Sequence, residues 1–164
     1  MSGRSRGFFS FDLSRAFLIR AGVLACTVFI LGKWVFRPMV VEGASMEPTY
    51  ARRGFNFGYL LAFRRHPPRR GEVVLLRYGG QRWYLLKRVL AFAGETVAFR
   101  GGICVVDGKP LDEPYVKKNI GWDVPPRKVA PGHVYVMGDN RSVPFESHVG
   151  GEIATARIAG RPLW

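Results

Sequence analysis

The sequence predicts a mainly β domain, a barrel or folded sheet, tethered by one N-terminal transmembrane helix. Three observations support this fold class. Residues 16–36 form one apolar run of membrane-spanning length. Beyond residue 38 the chain consists of short β-type runs separated by glycine and proline turn signals. In the same region no apolar period of about 3.6 residues continues for the length of a helix.

The predicted anchor has the sequence AFLIRAGVLACTVFILGKWVF, enough to cross a hydrocarbon core of roughly 30 Å. Its charged residues, Arg20 and Lys33, lie near the ends, where long cationic side chains can reach the membrane interface. Arginines outnumber acids before the run, so we expect residues 1–15 in the cytoplasm, the anchor at 16–36 and residues 37–164 outside. A cleaved signal peptide is the alternative, but no small-x-small cleavage site follows the run.

The chain is basic, with 25 Lys and Arg against 12 Asp and Glu. Charge alone would fit nucleic acid, anionic lipid or a plain surface bias. Most aromatic residues lie in the anchor and in apolar strand runs, not among the basic residues, so we expect no nucleic-acid partner. The basic segment FRRHPPRRGE at 63–72 is predicted to be a solvated loop, and a lipid-headgroup contact is the second interpretation. Cys26 and Cys104 lack zinc-site spacing, and we expect neither metal nor cofactor.

The runs after the anchor predict hairpins. EVVLLRY and RWYLLKRVLAF flank the glycine pair at 79–80, and ETVAFR and ICVV flank the pair at 101–102. Asp107 and Gly108 supply a third turn. The proline-broken stretch DEPYVKKNIGWDVPPRKVAPG is predicted to be a loop or an extended excursion. HVYVMGDN is predicted to be a strand that runs into a polar turn, and ATARIAG a closing strand.

Ser45, within VEGASMEPTY, is the candidate nucleophile. The chain has no HExxH, P-loop or GxGxxG motif, and GASME lacks the second glycine of a GxSxG nucleophile elbow. A serine/histidine/aspartate triad would need His66, His133 or His148. The first two stand in turn contexts that give no reason for them to meet Ser45, so a triad has little support.

A lysine is the other base that could activate a serine, because burial favours its neutral form. In the predicted strand RWYLLKRVLAF, alternate side chains share a face. Lys87 therefore lies in an apolar row with Trp83, Leu85, Val89 and Ala91. Its neighbour Arg88 lies on the other face and cannot deprotonate.

Four boxes resemble those of the type I signal peptidases, a serine/lysine dyad family that includes mitochondrial inner-membrane peptidases. They are GASMEPT at 43–49, GEVVLLR at 71–77, KRVLAFAGE at 87–95 and MGDNRSVPFESHVGG at 137–151. Their order after a single anchor is that of the family, and ARIAGR at 156–161 resembles its closing strand. The resemblance spans nearly the whole chain.

The resemblance implies a membrane-bound endopeptidase that removes signal peptides from exported preproteins on the outer side of the membrane, after small-x-small sites. Ser45 would be the nucleophile and Lys87 the general base. The backbone N–H of Ser45 would hold the oxyanion. Some relatives add a serine hydroxyl two residues earlier, where this chain has Gly43. Met46 and Leu86 are the candidate walls of the pockets for small side chains.

The last box implies structural support near the site from Asp139, Asn140, Arg141 and Glu146. It also contains departures from the family pattern. Pro144 stands where a serine often orients the lysine, so Ser142, Ser147, a water or packing alone would have to do so. His148 replaces the usual arginine beside Glu146, so we expect that ion pair to be pH sensitive near the imidazole pKa of about 6.5. Ala93 replaces a common proline.

The expected partners are preprotein signal peptides and the lipid bilayer, and we expect a monomer without cofactors. Two further interpretations stay open. The first is a catalytically silent, membrane-tethered β domain that binds an extended peptide, supported by the loss of the serine at Pro144. The second is a specialised peptidase for pilin-like or conjugation substrates.

Overall fold

The computed structural model describes residues 14–78 and 83–164, and the side chain of Trp83 lies outside that description. Helix α1 (Arg15–Ile30) begins after Ser14, whose hydroxyl accepts a hydrogen bond from the N–H of Phe17. A π-helical turn, Leu31–Val35, continues it. Together they form a 21-residue helix that is long and apolar enough to cross a membrane and buries none of its residues against the domain. The predicted cytoplasmic segment falls mostly in residues 1–13, outside the described residues.

Two antiparallel sheets follow the helix in the described chain. The strands are β1 (Phe36–Val40), β2 (Phe55–Tyr59), β3 (Val73–Tyr78), β4 (Trp83–Phe92), β5 (Thr96–Arg100), β6 (Ile103–Val106), β7 (Lys109–Pro110), β8 (Val124–Lys128), β9 (His133–Met137), β10 (Gly151–Ala154) and β11 (Ile158–Pro162). The larger sheet has the order β1-β2-β11-β3-β4-β9-β10, and the smaller has the order β7-β6-β5-β8. The mainly β fold class is therefore confirmed.

The predicted hairpins are present. Tyr78 pairs with Trp83 across the first, whose glycine turn lies outside the described residues. Arg100 pairs with Ile103 across the second, and Val106 pairs with Lys109 across the third turn. Glycine supplied the sequence signal in each case, because it accepts the backbone conformations that tight turns require.

Three parts of the chain differ from the sequence prediction. The proline-broken stretch predicted as a loop contains β8, an edge strand that pairs only with β5 across a bulge. Prolines are tolerated there, because an edge strand leaves N–H positions unpaired. In ATARIAG, Thr155–Arg157 form a 3₁₀ turn, so the closing strand begins only at Ile158. The sequence prediction also missed β2 and β10.

The core is divided into packed clusters on the faces of the two sheets. One lies between the sheets around Leu90, Phe99, Trp122 and Met137. A second joins Met46 to the larger sheet through Leu75 and Leu86, and a third groups valines of β3, β4 and β9. Burial of this apolar surface is the main force that holds the sheets together. It also places the Ser45 turn against β3 and β4.

Gly160 of β11 lies directly against the backbone at the end of β2. A Cβ atom on this glycine would collide with the carbonyl oxygen of Tyr59 and lie 2.9 Å from the Cα of Leu60. Both are backbone atoms, so they cannot turn away. Because the larger sheet is continuous only through β11, this contact is structural.

We therefore expect Gly160→Ala to cost about 3 kcal/mol of unfolding free energy. The unfolding temperature should fall by roughly 5 to 10 °C. Thermal unfolding of the full chain in detergent, followed by tryptophan fluorescence, measures the change. Gly43→Ala is the matched control, since a Cβ there meets nothing closer than 3.9 Å. Equal unfolding temperatures for the two variants would contradict the prediction.

Candidate active site

Ser45 stands at the start of a tight turn that follows β1. The N–H of Glu47 donates to the carbonyl of Ala44 at 3.1 Å, and the N–H of Tyr50 donates to the carbonyl of Met46 at 2.9 Å. Met46, 1% exposed, inserts into the core between these bonds. The turn is therefore anchored by an apolar side chain next to the serine, which leaves Ser45 itself partly exposed.

The end of β9 holds this turn from the other side. The backbone N–H of Asn140 donates to the carbonyl of Ser45 at 3.0 Å, and its side-chain amide donates to the carbonyl of Ala44 at 3.1 Å. Gly138 makes the approach possible, because a Cβ there would collide with the Ser45 carbonyl oxygen. Asn140 thus fixes the two peptide units on either side of the Ser45 Cα.

Lys87 reaches Ser45 from β4. Its side chain is 2% exposed, and its Nζ lies 2.7 Å from the Oγ of Ser45. Burial lowers the pKa of Lys87 to about 8, and the negative charge of Asp139 opposes part of that effect. A substantial fraction of the amine is therefore neutral near pH 8. The geometry brings together a hydroxyl and an amine that can accept its proton.

Asp139 is the buried anion behind these two residues. Its carboxylate accepts two hydrogen bonds from Arg88, at 2.8 Å and 2.5 Å, and one from the hydroxyl of Thr49 at 2.5 Å. Arg88 also donates to the carbonyl of Gly71, and its guanidinium lies 3.8 Å from the centre of the Tyr115 ring. The contacts of Arg88 and Thr49 tie β4 and the Ser45 turn to one carboxylate.

Arg141 is fully buried behind the turn that follows β9. It donates to the carbonyl of Gly138 at 2.7 Å and forms an ion pair with Glu113 at 2.6 Å. Its guanidinium lies 5.4 Å from the ring of Phe99 and 5.5 Å from that of Trp122. Arg141 therefore fastens the GDNR turn to the core between the sheets.

Sequence reasoning missed three of these supporting residues, Thr49, Glu113 and Tyr115. Thr49 stood in a quoted motif, two positions after Glu47, but nothing local indicated that its hydroxyl meets Asp139. Glu113 and Tyr115 lie in the stretch predicted as a polar excursion. The one signal in the sequence was Arg141 of the GDNR box. A buried arginine needs an acidic partner, and this need could have pointed to Glu113.

The predicted ion pair between Glu146 and His148 is wrong. Glu146 is exposed and makes no salt bridge within the described residues. Both ring nitrogens of His148 are buried, and among the described residues neither has a hydrogen-bond partner. The ring packs edge-on against Trp122, with 4.6 Å between the two ring centres. Burial, with the charges of Lys87 and Arg141, lowers the pKa of His148 to about 4. The expected sensitivity near pH 6.5 is therefore absent from this pair.

The serines that could have replaced the one lost at Pro144 do not contact Lys87. The hydroxyl of Ser142 donates to the side-chain oxygen of Asn140 at 2.6 Å, and Ser147 is exposed. In residues 14–78 and 83–164, the one side-chain hydrogen bond of Lys87 is that to Ser45. Of the alternatives raised by the sequence, these contacts therefore exclude the two serines and leave a water or packing alone.

The histidines that a triad would need do not meet Ser45. His133 has its Nδ1 3.0 Å from the carbonyl oxygen of Pro131, and His66 lies exposed in the basic loop. Neither these nor His148 forms a hydrogen bond to the Ser45 hydroxyl among the described residues.

A groove of about 590 Å³ leads to Ser45. Met46 and Leu86, the two predicted pocket residues, both line it, with Met39 and Tyr84. The groove runs between β1, which pairs only with β2, and the first half of β4, which pairs only with β3. Each therefore presents an unpaired strand edge within the described part of the chain.

Comparison with known proteins decides the family. The model of the family described as signal peptidase, peptidase S26, matches residues 14–164. The chain belongs to this signal peptidase family. The resemblance inferred from the four boxes is thereby confirmed, and with it the enzyme class, signal peptidase I.

The chain also resembles individual proteins to a measured extent. A probable signal peptidase I-1 of Synechocystis sp. is 32% identical over 143 residues, covering 82% of this chain and 73% of the relative. A signal peptidase I of Bacillus licheniformis is 30% identical over 154 residues, covering 87% and 83%. A crystal structure of a signal peptidase I from Enterococcus faecalis aligns with a TM-score of 0.48 at 22% identity, over 57% of this chain and 95% of the other.

The lowered pKa of Lys87 predicts how replacement of this lysine changes the stability of the signal peptidase. The folded-state pKa of about 8 lies below the ordinary lysine pKa of 10.5, so between these pH values the unfolded chain binds more protons. Stability therefore rises with pH across this window and is lost as pH falls toward 8. Lys87→Met should thus stabilise the fold by about 3 kcal/mol at pH 7, and by about 1 kcal/mol at pH 10.

Thermal unfolding of both proteins at the two pH values, in detergent, measures the effect. Lys128→Met is the matched control, because Lys128 is exposed on an edge strand and its change to Met makes the same chemical replacement away from the site. A destabilised Lys87→Met protein at pH 7 would contradict the prediction.

Proposed function

We propose that this signal peptidase is a membrane-anchored serine endopeptidase that cuts signal peptides from exported preproteins after small-x-small sites. Ser45 would be the nucleophile and Lys87 its general base. The observation that carries the proposal is the 2.7 Å approach of a buried lysine amine to the Ser45 hydroxyl. A lysine with its pKa lowered to about 8 by burial can take that proton near neutral pH, which an ordinary lysine cannot.

In the first half of the reaction, the neutral amine of Lys87 would take the proton of Ser45 as the hydroxyl oxygen attacks the scissile carbonyl carbon. The ammonium would then give this proton to the leaving amine, and an acyl-enzyme would remain on Ser45. A water molecule, deprotonated by the same lysine, would release the signal peptide. One group thus serves as base and then as acid in each half of the reaction.

The backbone N–H of Ser45 is proposed to stabilise the oxyanion. It donates no hydrogen bond to any atom of the described chain, whereas the neighbouring N–H groups of Glu47 and Tyr50 are both paired. A fixed, unpaired donor beside the reacting carbon commonly contributes about 3 kcal/mol to transition-state stabilisation. Asn140 supports this role, because its bonds to the adjoining carbonyls hold the peptide plane.

The substrate would bind as an extended strand in the groove. The free edges of β1 and β4 face this space and can form backbone hydrogen bonds to such a segment. Met46 and Leu86 would then form the apolar walls that admit only small side chains close to the cut. Residues 37–164 would act on the outer side of the membrane, with residues 16–36 as anchor and residues 1–15 in the cytoplasm. We propose a monomer with the bilayer and preproteins as its partners.

The central test is cleavage of a preprotein by the full chain in detergent, read by mass spectrometry for the position of the cut. The wild type should cut after a small-x-small motif, and Ser45→Ala and Lys87→Met should lose at least about a thousandfold in kcat/KM. For the wild type, kcat/KM should rise with pH to a plateau above an apparent pKa of about 8, because only neutral Lys87 acts as base.

An active Lys87→Met protein, or a pH profile that falls across this range, would contradict the dyad. A folded wild type that binds signal peptides without cutting them would favour the silent binding domain, and cleavage restricted to pilin-like substrates would favour the specialised peptidase. Thermal unfolding of each variant separates loss of chemistry from loss of fold.

Gly43 offers a second test of the oxyanion site. A Cβ at this position would lie 3.9 Å from both the backbone nitrogen and the Oγ of Ser45, in otherwise open space. Gly43→Ser should therefore add a hydroxyl donor and raise kcat by up to about tenfold with little change in KM. Gly43→Ala is the matched control. Equal kcat values for the two variants would place the oxyanion away from this N–H group.

A further inference from the structure

A cleft near the end of the π-helical turn is lined by basic residues. Its volume is about 870 Å³, and it lies between the loop that follows β2 and the strand β11. We name it the arginine cleft, after the side chains that line it: Arg64, Arg65, Arg69, Arg70 and Arg161. His66 adds a further titratable group, and Glu72 is the one acid among the lining residues.

Charge in this cleft is only partly compensated. Arg70 pairs with Glu95 at 2.5 Å, and Arg161 pairs with Glu72 at 3.2 Å. The side chains of the other three arginines, which are Arg64, Arg65 and Arg69, form no ion pair or hydrogen bond within the described residues. Like charges that line one cleft repel one another, so the cleft is suited to an anion that several guanidinium groups can share.

The cleft begins where the helix ends. The N–H of Leu60 donates to the carbonyl of Val35, the last residue of the π-helical turn, at 2.9 Å. The ring of Phe36 stacks on that of Tyr59 at 5.5 Å, and Tyr59 is itself part of the cleft wall. Arg64 follows four residues after Leu60, so its Cα lies within about 14 Å of the Leu60 Cα, and its side chain reaches further.

The last helical turn carries residues typical of a membrane interface. Trp34 is 63% exposed, and the amine of Lys33 lies 5.4 Å from its ring. Tryptophan and lysine at this position anchor a helix at headgroup level. Each headgroup layer is roughly 5 to 8 Å thick. If Trp34 lies in that layer, the mouth of the arginine cleft is within reach of lipid phosphates.

We propose that the arginine cleft binds the phosphate groups of anionic phospholipids from the leaflet in which the helix ends. This inference rests on the proposed membrane anchor. Guanidinium groups bind phosphate oxygens in pairs of parallel hydrogen bonds, so two of the three uncompensated arginines can hold one headgroup. The bound lipid would fix the tilt of the domain about its helix. Since β1 starts beside the cleft and forms one wall of the groove, that tilt sets how the groove faces the bilayer.

The test uses the full chain in detergent micelles with phosphatidylglycerol or phosphatidylcholine added, and native mass spectrometry counts the bound lipids. The wild type should retain phosphatidylglycerol at least about tenfold more tightly than phosphatidylcholine. The triple variant Arg64→Gln, Arg65→Gln, Arg69→Gln should lose this preference. The matched control removes the same charge from the smaller sheet, by Arg100→Gln, Arg127→Gln and Lys128→Gln, and should keep it.

Equal retention of the two lipids by the wild type would overturn the proposal, and so would an equal loss of preference in the two triple variants. Inorganic phosphate is added as a competitor, to distinguish a lipid headgroup from a free phosphate ion as the anion that the cleft binds. Displacement of phosphatidylglycerol by millimolar phosphate would indicate a site for free anions, whereas resistance to it supports a lipid site.

Two further measurements keep this inference separate from the function on which it rests. Extraction of vesicles with alkaline carbonate tests the anchor. Release of the chain by this treatment would refute the proposed anchor and not the lipid preference of the cleft. Cleavage of a soluble signal-peptide substrate in lipid-free detergent tests the dyad, and the cleft variant should retain wild-type activity there. A wild type that stays in the membrane and cuts, yet shows no lipid preference, would refute the cleft alone.

Discussion

The buried carboxylate of Asp139 is the interaction on which the rest of the site depends. It accepts hydrogen bonds from Arg88 on β4 and from Thr49 at the end of the Ser45 turn, while its neighbour Asn140 binds the Ser45 carbonyl. One anion therefore joins the strand that carries Lys87 to the turn that carries Ser45. A buried charge of this kind is costly unless all its partners are present, and loss of one partner typically costs 3–5 kcal/mol. The 2.7 Å approach of amine to hydroxyl is a consequence of these three attachments.

The same arrangement accounts for the electrostatics of Lys87. An anion near a buried lysine would normally keep the amine protonated, because opposite charges stabilise each other. Asp139 already accepts two hydrogen bonds from the Arg88 guanidinium, and burial has the larger effect on the lysine pKa. The result is an amine that can be neutral near pH 8. The packing that excludes water from Lys87 is thus part of the proposed chemistry, although it supplies no hydrogen bond of its own.

The described chain passes from helix to sheet without a linker. The π-helical turn ends at Val35 and β1 begins at Phe36, so the position of the helix constrains the first strand directly. That strand forms a wall of the groove, and its other end leads through Val41 to the Ser45 turn. If the helix is the proposed anchor, such a short connection would hold the groove near the bilayer surface, where the proposed cut site would lie. The fold couples the proposed anchor to the site by backbone continuity rather than by a separate interface.

Local patterns in the sequence by themselves determined the apolar N-terminal helix, the glycine-turned hairpins and the strand that carries Lys87, and they singled out Ser45 as the candidate nucleophile. Side-chain alternation, turn chemistry and apolar length act over a few residues, so they can be read without the fold. Only the tertiary structure decided which distant groups meet. Thr49 reaches Asp139 across 90 positions, and Glu113 neutralises Arg141 from a stretch that looked like loop. The expected Glu146–His148 pair failed because the His148 ring packs instead against Trp122. Partner choice of this kind depends on how sheets pack in space, and no spacing along the chain encodes it.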